Sequence, residues 1–524
     1  MMALTSIPVG IPVGANPSSG NGRHLLPANY PILSLLDDVS TLDSIRLKQI
    51  HARMLRLGLF FQPYASSRLI TACSLSPSPN LHYALQVFNQ IPQPSLYMWN
   101  ILIRSHVANS RPDLSLQLFS RLLTDSPHFP DNFTYPFAFK AAAELEMLRE
   151  GSALHGQVVK GPFNSDVFIL NSLVHFYATC GDVDLALRVF DFIPQRDVVS
   201  WNCMIAALAR ADRCDDALEL FRMMQNGNIS PDDITMVAVL SACGKKGDLE
   251  LGRWLHSFIK RSGISECLIL NNAILDMYTK CESSADARLL FDGMTEKDSI
   301  SWTTMLFVYC KSRDFDAARH FFDTMPVRDI AAWNALISGY EQNGRPKDAL
   351  AAFAELQNSS DAEPDQVTLV ATLSACSQLC AIESGKWIHS FIEKRNLKLN
   401  HRLTASLIDM YSKCGDVGNA LQVFRTVKQG DVFVWSSMIA GLAMHGRGKE
   451  ALEFFKQMQK ANVKPNHVTF TNVLCACSHA GLVEVGRMYF TQMLTVYGLS
   501  LNLSIMGAWW TSLAVPVVCK RRRS

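Results

Sequence analysis

Histidine, cysteine and the acidic side chains are the residues here that could make or break bonds, and their spacing does not assemble a reaction centre. A zinc-activated water with a carboxylate proton shuttle needs a His followed two places later by Glu, and a Cys-x-x-Cys pair to hold the metal. None of the 14 His residues is followed in that way, and none of the 14 Cys residues belongs to a Cys-x-x-Cys pair. Cys475-Ala-Cys477 and Cys376 with Cys380 have the wrong spacing for a zinc site. Ser/His/Asp and Gly-rich phosphate motifs in proper context are missing as well. The chain is read as no enzyme, with no catalytic residue, metal or cofactor. The cysteines read as small buried apolar residues in a reducing compartment.

Composition narrows the choice further. The chain has 524 residues, 48% apolar and 18% charged, which is too apolar for disorder and too long for one compact core. Lys and Arg (49) nearly balance Asp and Glu (47), giving a formal +2 and no global field for a polyanion, so such a partner must be met by local charge. No uninterrupted apolar run reaches 18 residues, so no membrane span is expected.

Internal repetition decides the architecture. Trp99, Trp201 and Trp302 are spaced by 102 and 101 residues, and Trp333 and Trp435 by 102. His155, His256 and His389 step by 101 and 133, and so do Tyr177, Tyr278, Tyr411 and Cys180, Cys281, Cys414. The 31-residue excess equals the Trp302–Trp333 spacing, so one extra segment of 31 sits within a period of about 102. The period divides into repeats at 96–131, 132–166, 167–197; 198–232, 233–267, 268–298; the extra 299–329; 330–365, 366–400, 401–431; and 432–466 with 467 to about 502. Upstream, 63–95 and about 28–62 complete about fourteen. Each repeat holds two helical patterns. In 198–232, Met204, Ile205 and Leu208 share one face of the first, and Ala217, Leu218, Phe221 and Met224 follow helical spacing in the second. Such a pair cannot bury its apolar face alone, so neighbours must stack into a solenoid with a long groove.

The organisation resembles the plant pentatricopeptide repeat family, specifically its PLS subfamily. The match rests on Trp-Asn at 201–202 and 333–334, Pro-Asp at 231–232 and 364–365, LSAC at 240–243 and 373–376, DMYxKC at 276–281 and 409–414, and GRWLH and GKWIH at 252–256 and 385–389. It covers about 28–502 and implies an all-α, right-handed solenoid of P, L and S repeats. The mixed lengths of about 35, 35 and 31 argue against tetratricopeptide repeats, whose period is fixed.

The resemblance implies one base of single-stranded RNA per repeat, chosen by the fifth residue and the last. The implied pairs are Asn100/Asp131, Asn171/Asp197, Asn202/Asp232, Asn272/Asp298 and Asn334/Asp365 for U over C, Thr303/Asp329 for G, and Ser436/Asn466 for A. Ala405/Asp431 and Ser67/Ser95 are uninformative, and L repeats such as 233–267 carry Val237 instead of a polar reader. The implied site is 5′-U-x-U-U-x-U-G-U-x-x-A-3′. Helix capping is the competing reading of the Asp residues. Val199, Ile300 and Phe433, at the second place, are implied to sandwich bases, against plain core packing. Arg210, Lys280, Lys311 and Lys413 share the thirteenth place and form a candidate phosphate stripe, against solvated helix ends. The recurring Trp residues are read as core, and His155, His256 and His389 as packing and capping.

Residues 1–36 contain no Asp or Glu and several hydroxyls, the profile of a transit peptide or an ordinary disordered leader. The array is placed at 37–502. Residues 503–524 fit no repeat and end in the basic tetrad Lys520 to Arg523, so the tail is expected to be truncated or aberrant. The resemblance to chloroplast editing factors, without their C-terminal E and deaminase regions, implies a chloroplast factor, with a mitochondrion as the alternative. It would recognise sites for C-to-U editing of single-stranded organellar RNA, with a deaminase and accessory proteins acting in trans. Stabilisation, splicing or translation control by occupancy, and a protein-interaction scaffold, are the alternatives.

Overall fold

The computed structural model describes residues 31–36, 43–76, 79–265, 267–359, 362–395, 397–427, 430–500 and Gly507. Among these the chain forms 28 α-helices, one short 3-10 turn at Leu59–Phe61 and no strand. The acid-free leader up to residue 30 and the basic tetrad at 520–523 lie outside the described residues. Ile32, Leu33 and Leu36, within the expected leader, are buried around a one-turn helix at Pro31–Ser34.

From residue 63 onward every repeat is a helical hairpin, here called helix A then helix B. In most repeats helix A is capped at its start by the side chain of the residue that ends the preceding repeat. Asp197, Asp298, Asp329, Asp365 and Asn466 each accept the backbone N–H three residues on, at 2.8–3.0 Å, which satisfies an orphan donor of the first turn. Helix A stops at a left-handed residue. From 96 onward the fifteenth position of every repeat has positive φ, whether Gly (Gly181, Gly247, Gly344, Gly415, Gly446, Gly481) or not (Ser110, Glu146, Asp212, Glu282, Arg313, Cys380). Helix B then folds back. It spans 13 residues in Cys214–Asn226 and Gly448–Lys460, but only 10 in Val183–Phe192, Ser284–Gly293, Phe315–Thr324 and Val417–Thr426. The 31-residue repeats are thus short because helix B loses about one turn.

The described chain divides into two compact units at Pro231/Asp232. Within each, successive A helices pack side by side as one layer, and each B helix rests on its own A helix, in most repeats also meeting the next. The hydrophobic seam is built by the repeated tryptophans. Trp99 meets Phe88 edge-on at 4.6 Å and Trp201 meets Phe190 at 5.2 Å in the first unit. In the second, Trp302, Trp333 and Trp435 meet Phe291, Phe322 and Phe424 at 5.1, 4.6 and 4.8 Å. Each Phe belongs to the preceding repeat's helix B, so these rings stitch neighbours together, as a core reading of the Trp residues requires.

Candidate nucleic-acid interface

The caps do a second job. The carboxylate that caps one A helix also accepts the side-chain amide of the fifth residue in the A helix before it. Asn100 Nδ2 donates to Asp131 Oδ1 at 3.0 Å and Asn171 Nδ2 to Asp197 Oδ1 at 3.3 Å. Asn272 Nδ2 reaches both oxygens of Asp298 at 3.1 and 3.2 Å, and Asn334 Nδ2 both oxygens of Asp365 at 3.1 Å. Burial alone would push the Asp298 carboxyl up. Hydrogen bonds from the Ser301 backbone and hydroxyl and from Asn272 outweigh it and hold the group below its usual range. The pairing partner is therefore an ionised acceptor. Capping and pairing coexist in the same Asp residues.

Asn202 lies in the first unit and Asp232 opens the second, so each is placed only within its own unit. Asn202 is buried in helix Val198–Arg210, and Asp232 caps helix Asp233–Lys246 through the Thr235 backbone N–H. Among the described residues no hydrogen bond joins Thr303 to Asp329. The Thr303 hydroxyl donates to the Ser299 carbonyl of its own helix at 2.6 Å, while Asp329 caps Ala332 and takes the Ser299 hydroxyl. Ser436 reaches Asn466 through an intermediate, since its hydroxyl bonds Thr469 at 2.8 Å and Thr469 donates to Asn466 Oδ1 at 3.0 Å.

The second-position side chains are not core. Val199, Ile300 and Phe433 are exposed, and so are Tyr64, Tyr97 and Phe133 in the first unit and Ile269, Val367 and Val468 in the second. The recurrence of large apolar residues at this register was visible in the chain, but only the three former ones were singled out. Also missed was the third place of the following repeat. Thr134, Ser301 and Thr368 are fully buried, and each donates its hydroxyl to the Oδ1 of the preceding Asn: Asn100 at 2.7 Å, Asn272 at 2.6 Å and Asn334 at 2.6 Å.

The sequence matches the PPR repeat at residues 97–126, 168–198, 234–264, 300–330, 331–360, 405–432 and 468–495, and the PPR repeat family at 196–245 and 430–479. A mitochondrial pentatricopeptide repeat-containing protein of Arabidopsis thaliana is 40% identical over 93% of this chain and 71% of its own length. The chain belongs to the pentatricopeptide repeat family. A chloroplastic pentatricopeptide repeat-containing protein of the same plant is 34% identical over 94% of this chain and 68% of its own. The crystal structure of the maize pentatricopeptide repeat protein PPR10 shares the fold, with a TM-score of 0.51 at 17% identity over 94% of this chain and 82% of that one.

The remaining recurrent residues of this pentatricopeptide repeat array have structural partners. His155, His256 and His389 on B helices bond the hydroxyls of Tyr177, Tyr278 and Tyr411 on the next A helices at 2.8–2.9 Å. His and Tyr share the steps of 101 and 133 because they meet. Burial pushes the phenols of Tyr278 and Tyr411 up to about 12 and the thiols of Cys243 and Cys376 up to about 12, so these thiols stay protonated. At the thirteenth place, Lys280 and Lys413 pair with Asp276 and Asp409 one turn back at 2.6 and 2.8 Å, and Lys311 pairs with Glu282 at 3.2 Å. Arg210 bonds the Ala206 carbonyl of its own helix at 3.4 Å. These cations terminate A helices. Exposed pairs of this kind are worth only about 0–1 kcal/mol.

Among the described residues no group of His, Cys, Asp or Glu could hold a metal ion, and no helix is long and apolar enough to cross a membrane.

Proposed function

We propose that this chain is a sequence-specific single-stranded RNA-binding factor of an organelle. The observation that carries the reading is the repeated Asn-to-Asp hydrogen bond. A polar amide recurs at one register of the A helices, braced by the cap of the next repeat. Within each unit, exposed apolar and aromatic side chains recur at the second place of the A helices. Hydrogen bonds to a base edge combined with apolar contact to its face are what recognition of unpaired RNA demands. Relatives named for both mitochondria and chloroplasts support an organelle as the compartment, and of the two we favour the chloroplast. Within that function we place the chain in C-to-U editing, as the component that finds the site, with the deaminase and accessory proteins supplied by other chains.

The test is a binding titration with 5′-U-x-U-U-x-U-G-U-x-x-A-3′ RNA and its sixth-base variants, using the full chain and Asn272→Thr. The substitution should move the preference at the sixth base from U towards G and leave the other positions alone. An unchanged preference overturns base reading by this register. Sequencing organellar RNA from a plant lacking the protein separates the roles. A lost C-to-U site supports editing, whereas altered transcript ends or retained introns overturn it in favour of control by occupancy.

A further inference from the structure

Uracil and cytosine present opposite patterns to an amide. Uracil offers a carbonyl acceptor beside the N3–H donor, and cytosine an amino donor beside the N3 acceptor. An Asn side chain carries both kinds of group and reads either base if it can turn over. What makes it choose is a fixed amide, and fixing needs an anchor at each end.

The chain supplies both. The cap carboxylate holds the Nδ2 end of Asn100, Asn272 and Asn334. The buried hydroxyl at the third place of the next repeat holds the Oδ1 end: Thr134, Ser301 and Thr368 at 2.6–2.7 Å. In all three the backbone N–H of the cap residue donates to the same hydroxyl at 3.1–3.3 Å, so the hydroxyl is itself held in place. Turning the amide over would set its oxygen against a carboxylate.

The sequence follows the same rule. Every repeat with Asn at the fifth place is followed by Ser or Thr at the third place of the next: Thr134, Ser200, Thr235, Ser301 and Thr368. Repeats with Thr303, Ala405, Pro136, Val237 or Val370 at the fifth place are followed by Ala332, Val434, Ile169, Leu270 and Leu403. The repeats beginning at 132, 233, 366 and 467 all carry Thr at the third place, the last of them, Thr469, after Ser436, so there the hydroxyl follows a polar reader of either kind. The repeats beginning at 198, 330 and 432 occupy the same place in the period, yet only the first, which follows Asn171, carries a hydroxyl, Ser200.

We infer that the third-place hydroxyl is a positioning residue for base choice: Thr134, Ser301 and Thr368 orient the amides of Asn100, Asn272 and Asn334 and so set their preference for uracil over cytosine. This rests on the RNA-binding function proposed above. Asn171 is the internal contrast. Thr134, Ser301 and Thr368 share their hydroxyl proton between the Asn Oδ1 and the cap carboxylate, 2.8–2.9 Å away, whereas Ser200 reaches only Asp197 at 2.8 Å and the buried Oδ1 of Asn171 has no partner.

The test compares RNAs carrying U or C at the eighth base, matched to Asn334, for the full chain, T368V and T368S. An unpaired buried acceptor costs about 1–3 kcal/mol, so T368V should lower the U-to-C affinity ratio by roughly fivefold or more, while T368S keeps it and the ratio at the first base, matched to Asn100, is unmoved. A T368V ratio within roughly twofold of the parent overturns the inference alone. A parent chain indifferent to the eighth base overturns both base reading and this inference. Should T368V not fold, the unsubstituted protein still decides. Its U-to-C ratio at the first base (Asn100) should exceed that at the third (Asn171), and equal ratios refute the positioning role.

Discussion

At the scale of single residues, burial governs the titratable groups. His175 lies on helix Val167–Thr179 in the first unit. Its pKa is lowered to about 4, first by burial and then by the nearby charges of Arg210 and Lys140. A histidine whose folded pKa is depressed stays neutral in the fold while the unfolded chain takes up a proton, so the protein loses stability as pH falls from about 6.5 towards about 4. The full loss is about 3 kcal/mol. Replacing His175 with Phe should flatten that part of the stability profile, measured by thermal unfolding between those pH values. An unchanged acid limb would mean that other groups carry it. The recurrence of His155, His256 and His389 with the Tyr residues was legible as periodicity. That they bond each other was not, because the contact joins neighbouring repeats across 22 residues of chain. The fifth-place Asn and last-place Asp residues were legible in the same way, whereas register alone does not reveal that the Thr303 hydroxyl bonds its own helix.

At the scale of elements, the hairpins are specified by punctuation. From 96 onward the fifteenth residue of each repeat is left-handed, and half of these repeats meet this with side chains that resist it, such as Arg313 at φ 59°. Gly at such a position relieves about 1 kcal/mol of backbone strain. Arg313→Gly should therefore stabilise the second unit by about that amount, and Gly415→Ala, at φ 87°, should destabilise it by about as much, read from chemical denaturation. Opposite signs test the turn, and equal signs would discard it. The 31-residue repeats were readable from the spacing of the recurring Trp, His, Tyr and Cys residues, and the two-helix pattern from the apolar spacing in 198–232. The exposure of Val199, Ile300 and Phe433 was not, since an apolar residue in the first turn of a helix looks the same in sequence whether it faces a core or a groove.

At the scale of the whole molecule, charge is nearly balanced, and the recurrent lysines are spoken for by carboxylates. Binding to RNA should therefore lean on bases more than on phosphates and fall only gently with salt. Each phosphate contact steepens the plot of log affinity against log salt by about 0.7. Asp409→Asn, which releases Lys413 from its 2.8 Å ion pair, should raise affinity at low salt and steepen that plot by about one such increment. Lys413→Gln should do neither. Identical slopes for the two variants would remove the thirteenth place from the RNA-binding surface.

The cysteines have a practical corollary. Among those described, all are free thiols and Cys380 alone is exposed, at the turn that closes helix Gln366–Leu379 in the second unit. Of the described thiols, a maleimide dye offered briefly at neutral pH should reach this one first. The natural chain thus carries its own attachment point for fluorescence, a few residues from a helix that holds no base reader, and occupancy by a ligand could be followed without engineering a single residue.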